Sequence, residues 1–194
     1  MPAFIAPRIK KFIKIVSQNL KFVLFAATMI LYNYGEQIKK QGDRLIMLGF
    51  EIRMVNKNDL PALQELYLNL HDDEIIPITS ETIGLWENIL ADPNYHILIG
   101  EEAGKIVSSV TLVVVRNLTR RMRPHALIEN MVTLPEHRNM GYAGLLLERA
   151  VEIAKENDCY RAMFISGSKN DSTIRFYLNA GFTNTEKSAF VMKL

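Results

Sequence analysis

The stretch from Met131 to Leu147 constrains the fold more than any other, because it joins an apolar strand to an amphipathic helix through a short basic turn. The helical part places charged residues on one face and apolar residues on the other. The apolar set is Leu145, Leu146, Leu147, Ala150, Val151, Ile153 and Ala154. Gly141 and Gly144 flank the predicted helix start, where the missing side chains let a ligand approach the backbone closely.

This helix start is suited to an anion. The first amide groups of any helix lack partners inside the helix and carry partial positive charge. A glycine-containing turn at such a point predicts a binding site for phosphate oxygens, and Arg138 adds a full positive charge beside it. A turn of this kind precedes many helices, so the residue order around it matters more than the glycines alone.

That order is Arg138-x-x-Gly141-x-Ala143 after an apolar strand, and it resembles the acyl-coenzyme A loop of the Gcn5-related N-acetyltransferase (GNAT) superfamily. A second segment, residues 170–182, is similar to the helix that follows in that family. It contains an Asn, a Tyr and a Gly-Phe exit at the family positions, namely Asn170, Tyr177, Gly181 and Phe182. The resemblance extends from Phe50 to Leu194.

The resemblance implies the GNAT fold, of the α/β (α+β) class. Its central sheet is mixed, mostly antiparallel, twisted and splayed in the middle, with about six to seven strands and about four flanking helices. In the resembled family, the strand at residues 126–133 carries a bulge and splays from the next strand, here residues 159–165. The resulting wedge admits the pantetheine arm of the coenzyme. Residues 190–194 are expected to close the sheet, and a hairpin turn is predicted around Gly104.

The resemblance also implies acetyl-coenzyme A as co-substrate and assigns the residues that bind it. They are Met131, Val132, Thr133, Arg138, Asn139, Met140, Gly141, Tyr142, Ala143, Gly144, Asn170 and Tyr177. The amide of Met131 or Val132 is the expected partner of the thioester carbonyl. Asn170 either hydrogen-bonds the coenzyme or simply caps its helix.

Two side chains are candidates for the proton transfers. Tyr177 aligns with the tyrosine that protonates the departing sulfur in the resembled family, and a phenol with a pKa of about 10 stays protonated at neutral pH. Glu129 is the candidate base, because an apolar strand beside the thioester is expected to desolvate it and raise its proton affinity. The alternative for Glu129 is a charge that pairs across the strand or orients the acceptor amine.

The predicted reaction is transfer of an acetyl group to a primary amine of a small molecule, by direct attack in a ternary complex. A glucosamine-6-phosphate-like amino-sugar acetyltransferase is an alternative, although Asn130 follows Glu129 where those enzymes carry an acidic pair. A non-catalytic module that senses acyl-coenzyme A is another. Homodimers are frequent in the resembled family and are compatible with this sequence.

Residues 1–46 form a predicted basic leader ahead of a domain at residues 47–194. They hold eight Lys or Arg against two Asp or Glu, with an apolar helical face from Ile9 to Leu20. The leader is either dispensable, or a helix packed on the domain or a partner, or, least favoured, a membrane contact. The uncharged run at residues 22–35 has 14 residues, whereas spanning a bilayer takes about 20.

The remaining composition narrows the function classes. Outside the leader, the chain has 15 Lys or Arg and 19 Asp or Glu, and this negative net charge gives no support to a nucleic-acid-binding role. The single cysteine, Cys159, excludes an internal disulfide, and a buried core thiol in a cytoplasmic protein is expected. No second cluster with ligand spacing accompanies His71–Glu74, so no metal site is predicted.

Overall fold

The computed structural model describes residues 39–41, 44–47, 49–70 and 74–192. Seven strands and four α-helices lie in these ranges, together with two short 3-10 turns at Arg120–Met122 and Pro135–His137. The strands are β1 Lys39–Gln41, β2 Arg44–Met47, β3 Phe50–Met54, β4 Tyr95–Glu102, β5 Lys105–Val115, β6 His125–Thr133 and β7 Ala162–Met163. The helices are α1 Leu60–Tyr67, α2 Ser80–Ala91, α3 Tyr142–Glu156 and α4 Asp171–Asn179.

The seven strands form one sheet in chain order from β1 to β7. Neighbours from β1 to β6 run antiparallel, and β7 runs parallel to β6. A parallel pair needs a crossover connection, and α3 supplies it. The hairpin between β4 and β5 turns at Ala103 and Gly104, both with positive φ, as predicted around Gly104. This mixed, mostly antiparallel sheet with four helices confirms the predicted fold class.

The sheet packs helices on both faces, and each face has its own apolar core. On one face α3 buries the apolar residues that its periodicity predicted, with the exception of the half-buried Val151. They meet side chains of β3 to β6, including Phe50, Leu98 and Leu112. On the other face, α1 and α2 contribute Leu63, Leu66 and Trp86 to a core shared with Ile97 and Ile99 of β4 and Val132 of β6.

The predicted leader falls largely outside the described residues. Where it is described, at residues 39–41 and 44–46, the chain forms β1 and most of β2, and β2 satisfies the backbone hydrogen bonds along the edge of β3. The helical face predicted from Ile9 to Leu20 lies outside the described residues, so it stays a prediction. Within the described residues, no helix is both long and apolar enough to cross a bilayer.

The last two predicted strands also differ from the structure. Residues 159–165 contain only the two-residue strand β7, and residues 190–192 lie outside any strand, with the side chain of Phe190 94 % exposed. Lys193 and Leu194 are outside the described residues. The predicted closing strand at residues 190–194 is therefore wrong as far as it is described. The reason is that β7, with only two residues, offers few backbone groups for a further strand to pair with.

Gly100 on β4 provides a test of the core around α3. A methyl group at Gly100 would lie 2.2 Å from the ring of Phe50. That ring is buried and stacks on Tyr142 with a centroid distance of 3.9 Å, so it has little room to move. We expect Gly100→Ala to lower the free energy of unfolding in urea by about 1–3 kcal/mol.

The matched control is Gly84→Ala inside α2, where a methyl group meets nothing within 4 Å. Alanine in place of glycine within a helix stabilises by about 0.5–1 kcal/mol, so this variant should keep or gain stability. A Gly100→Ala protein as stable as the original chain would contradict the close packing of Phe50 against β4.

Candidate active site

Helix α3 begins directly after a turn with left-handed backbone conformations at Asn139 and Gly141. Their φ angles are 63° and 87°. Glycine adopts such an angle without strain, so Gly141 lets the chain turn from β6 into the helix, which begins at Tyr142. Turns that alternate left- and right-handed residues direct neighbouring amide groups into one concave space, which suits an anion.

The start of α3 leaves its amide groups available. Within the described part of the chain, no side chain caps this helix, so the amides of Tyr142, Ala143 and Gly144 have no partner from the helix itself. Each anionic group at such a helix end is stabilised by about 0.3–1 kcal/mol. The predicted residues Arg138–Gly144 therefore form the turn and the first residues of α3, and we call this segment the cradle.

Arg138 is exposed and is held beside this turn. Its Nε donates a hydrogen bond to the carbonyl oxygen of Thr133 at 3.1 Å. Thr133 in turn is buried at the end of β6, and its hydroxyl lies 2.7 Å from the Ser108 hydroxyl. The guanidinium is thus anchored through one nitrogen to the strand that leads into the cradle, and its charge lies next to the turn.

Strand β6 carries the bulge that the resemblance implied. Ser109 of β5 pairs with Val132, and Thr111 pairs with Glu129. One residue of β5 therefore lies opposite two residues of β6, Asn130 and Met131. Asn130 has a φ of 50°, which is the left-handed residue that the extra length requires.

The same strand is released from its other neighbour halfway along its length. Strand β7 pairs with Ala126 and Leu127 and with no later residue of β6. Among the described residues, the part of β6 from Ile128 to Thr133 has no strand on that side. An exposed strand edge of this kind offers backbone groups to an extended ligand, and it leads directly to the cradle.

Helix α4 brings the second sequence motif next to the first. Asn170 caps this helix, because its side-chain oxygen accepts hydrogen bonds from the backbone amide and the hydroxyl of Ser172 at 2.9 and 2.8 Å. This is the helix-cap role that the sequence left open, and a contact of Asn170 with the coenzyme stays a prediction. Phe176 of α4 lies beside Gly144, where an added methyl group would be 3.8 Å from its ring.

Tyr177 follows Phe176 and is half-buried. Its ring packs on Phe164 and Phe176, with centroid distances of 4.2 and 5.1 Å. Burial raises the pKa of the Tyr177 phenol above its ordinary value of 10. The phenol is therefore protonated at neutral pH and can donate a proton, although the upward shift makes it a weaker acid.

Glu129 differs from its expected environment. The sequence suggested a desolvated carboxylate inside an apolar strand, whereas the residue is exposed, so burial does not act on it as expected. The alternation of β6 explains the difference, because Ala126 and Ile128 point into the core under α3 and Glu129 falls on the other face. Glu129 lies close enough to Tyr95 for its charge to add to burial in raising the pKa of that phenol.

Sequence reasoning missed a group of buried hydroxyls near this point. Within the described part of the chain, the hydroxyls of Tyr67, Ser109 and Thr111 make no hydrogen bond of normal length, although they lie near one another between α1 and β5. Burial raises the pKa of Tyr67. Tyr67 also lines a pocket of about 170 Å³ beside Asn130. The available signal was the run of Ser and Thr in an otherwise apolar strand.

A reactive thiol and a metal site find no support among the described residues. Cys159 is half-buried against the core under α3, and burial raises the pKa of its thiol, which disfavours the reactive thiolate. Among the described residues, no three His, Cys, Asp or Glu side chains lie close enough together to hold a metal ion. His71–Asp73 are outside the described residues.

Known proteins are similar to this chain over most of its length. The model of the acetyltransferase (GNAT) family matches residues 60–182. A protein of Agrobacterium tumefaciens str. C58 assigned as an acetyltransferase has a solved structure with a TM-score of 0.69 and 36 % identity, covering 74 % of this chain and 99 % of that one.

Two more distant proteins share a stated activity. The glucosamine 6-phosphate N-acetyltransferase of Trypanosoma brucei brucei is 24 % identical over 143 residues, which are 73 % of this chain and 94 % of that protein. The structure of the corresponding enzyme of Arabidopsis thaliana has a TM-score of 0.66 and 22 % identity, covering 75 % and 97 % of the two chains. The family match and the fold together establish that this chain belongs to the GNAT family of acetyltransferases and is an N-acetyltransferase.

Proposed function

We propose that the protein transfers an acetyl group from acetyl-coenzyme A to a primary amine of a small molecule. The observation that carries this proposal is the uncapped start of α3 at the cradle, next to the part of β6 that β7 does not cover. A coenzyme with a pyrophosphate and an amide-containing arm requires both features. Fixed amide groups bind the phosphate oxygens, and an open strand edge pairs with the arm.

The cradle and the end of β6 bind different parts of the coenzyme in this proposal. Arg138 and the amides from Asn139 to Gly144 hold the pyrophosphate. Met131, Val132 and Thr133 present backbone groups of β6 to the pantetheine arm, and the amide of Met131 or Val132 donates to the thioester carbonyl oxygen. Asn170 is proposed to contact the coenzyme from the start of α4, the helix whose Phe176 lies against Gly144.

The proposed reaction is a direct attack in a ternary complex. The amine nitrogen forms a bond to the carbonyl carbon, and the carbon–sulfur bond breaks. Glu129 accepts the proton that the amine loses, for which its exposed position gives an incoming acceptor access. Tyr177 donates its proton to the departing sulfur, since its half-buried phenol is protonated at neutral pH. In the alternative role, Glu129 orients the ammonium group of the acceptor.

An amino sugar is the second candidate acceptor. Similarity to two glucosamine 6-phosphate N-acetyltransferases favours it, and the pocket beside Asn130, at about 170 Å³, suits a small acceptor rather than a large one. Tyr67 lines this pocket, and its hydroxyl lies near the buried hydroxyls of Ser109 and Thr111. Asn130 itself weighs against this candidate, because it replaces the second residue of the acidic pair.

Release of free coenzyme A from acetyl-coenzyme A tests the proposed function. The full chain is incubated with acetyl-coenzyme A and, in turn, glucosamine, glucosamine 6-phosphate, spermidine and an aminoglycoside, and the free thiol is followed by absorbance. We expect amine-dependent release with at least one acceptor. Tight binding of acetyl-coenzyme A without turnover on any amine would instead indicate a sensor module.

Gly141→Val tests the cradle. Valine at a φ of 87° is strained by about 1–2 kcal/mol, and its side chain lies where the phosphate must approach the backbone. We expect the affinity for coenzyme A to fall below detection by isothermal titration calorimetry. Gly181→Val is the matched control, because Gly181 also has a φ of 87° but follows the far end of α4. Retained affinity in Gly141→Val would refute the cradle assignment.

Tyr177→Phe tests the proton donor. The ring and its packing remain, and only the hydroxyl is lost, so turnover should fall by about 10²- to 10⁴-fold, which is much more than the affinity for coenzyme A falls. Steady-state kinetics and calorimetry on the same preparation separate the two effects. Tyr160→Phe, at the start of the segment leading to β7, should leave turnover as it is. An unchanged turnover in Tyr177→Phe would remove Tyr177 from the mechanism.

A further inference from the structure

A single carboxylate contacts both sides of the turn that precedes α3. Glu102 ends strand β4, and its Oε1 accepts a hydrogen bond from the Tyr142 hydroxyl at 2.5 Å. Its other oxygen, Oε2, lies 3.1 Å from Nε2 of His137. His137 is the residue immediately before the segment Arg138–Gly141, and Tyr142 is the residue immediately after it. Glu102 therefore connects the two ends of this segment across a distance of 40 residues in sequence.

The tyrosine side of this connection is rigid. The ring of Tyr142 lies flat on Phe50, with centroids 3.9 Å apart and planes 5° from parallel. Phe50 is 2 % exposed and packs directly over Gly100 of β4. Tyr142 therefore leaves the helix start in one fixed direction. Burial and the Glu102 carboxylate raise the pKa of its phenol to about 12, so the hydroxyl remains a donor at neutral pH.

The histidine side closes the other end. His137 is the last residue of the 3-10 turn Pro135–His137, and its side chain is 18 % exposed. A second and weaker contact holds the same turn, because Nζ of Lys105 lies 3.4 Å from Glu136 with both side chains largely exposed. An exposed ion pair of this kind contributes little. The backbone amide of His137 donates to the carbonyl oxygen of Leu134 at 2.9 Å, and the half-buried contact with Glu102 holds its side chain.

A carboxylate next to an anion-binding turn requires an explanation. Its charge by itself opposes the binding of a pyrophosphate, since like charges repel. A contribution of Glu102 to the geometry of the turn explains its position. It holds the residues on either side of Arg138–Gly141, so the amide groups between them do not have to be ordered when the ligand arrives. Ordering a backbone segment on binding reduces affinity.

We propose that Glu102 is a positioning residue for the coenzyme, which pre-organises the cradle by holding His137 and Tyr142 at the two ends of its turn. This inference rests on the proposed function, because the cradle is taken to bind the pyrophosphate of acetyl-coenzyme A. Glu102 itself does not touch the reacting atoms. Its loss should therefore change the affinity for the coenzyme and leave the chemical step at saturation largely intact.

The neighbouring residue provides an unusually close control. Glu101 precedes Glu102 on β4, so its side chain points to the opposite face of the sheet. There its Oε2 pairs with Nη2 of Arg53 at 2.8 Å, and Arg53 also pairs with Asp59 at 2.7 Å. Replacing Glu101 therefore removes a carboxylate and an ion pair from the same strand end without touching the turn before α3.

The experiment measures coenzyme A affinity by isothermal titration calorimetry, thermal midpoints without ligand, and the kcat and KM for acetyl-coenzyme A. The variants are Glu102→Ala, Glu102→Gln, Tyr142→Phe and Glu101→Ala. We expect Glu102→Ala to weaken coenzyme A binding about tenfold or more, because a hydrogen-bonded charged group is lost. Glu102→Gln should recover part of this loss, since its amide oxygen still accepts from Tyr142. KM for acetyl-coenzyme A should rise with little change in kcat.

Each other outcome is decisive. Tighter coenzyme A binding by Glu102→Ala would show that the negative charge of Glu102 only repels the ligand. Unchanged affinity with a lower thermal midpoint would show that Glu102 stabilises the fold without organising the cradle. Either result would overturn the proposal. Glu101→Ala should lower the thermal midpoint and keep the affinity, and equal weakening by both alanine variants would also overturn it. If the original chain binds no coenzyme A, the proposed function fails, and this inference fails with it. If the original chain and Glu102→Ala bind coenzyme A equally well, only the inference about Glu102 fails.

Discussion

The left-handed turn at Gly141 is the constraint on which the rest of the site depends. It lets the chain pass from the end of β6 into α3 within a few residues, and it leaves the first amides of the helix without a cap. The apolar face of α3 then fixes the helix on the sheet, because Leu146, Leu147 and Ala150 are almost completely buried. The amide groups at its start are therefore held by the same packing that stabilises the core.

The two faces of the sheet contribute different features to the proposed site. The face under α3 holds the apolar core on which Tyr142, Phe176 and Tyr177 pack, and these residues belong to the coenzyme side. The opposite face, under α1 and α2, combines an apolar core with the buried hydroxyls of Tyr67 and Thr111. The bulge in β6 lies between them, where the exposed Glu129 pairs across the sheet with Thr111.

Much of this arrangement could be predicted from the sequence, because it is encoded locally. The strand, turn and helix around Gly141 are continuous in the chain, and periodicity and glycine placement are sufficient to indicate them. The hairpin at Gly104 is local in the same sense. The short β7, the absence of a strand at residues 190–192 and the strands at residues 39–47 depend instead on which edges remain to be paired, and a local pattern does not contain that information.

The contacts that position the site were the least predictable. Glu102 and Tyr142 are far apart in sequence, and nothing in the surroundings of Glu102 distinguishes it from Glu101. The exposure of Glu129 was missed because an apolar strand suggests burial on both faces, whereas β6 buries Ala126 and Ile128 on one face and leaves Glu129 exposed on the other. The buried hydroxyls of Ser109 and Thr111 were visible as polar residues in an apolar strand, but Tyr67, whose hydroxyl lies near them, belongs to a separate helix.

The central claim is that main-chain amide groups at the start of α3 bind the pyrophosphate of the coenzyme. A titration of ¹⁵N-labelled protein with coenzyme A, followed by amide resonances in two-dimensional NMR, tests it most directly. We predict that the largest shifts fall on the amides from Asn139 to Gly144. Largest shifts at another surface, such as the arginines of Arg120–Met122, with the amides of the cradle unmoved, would contradict it.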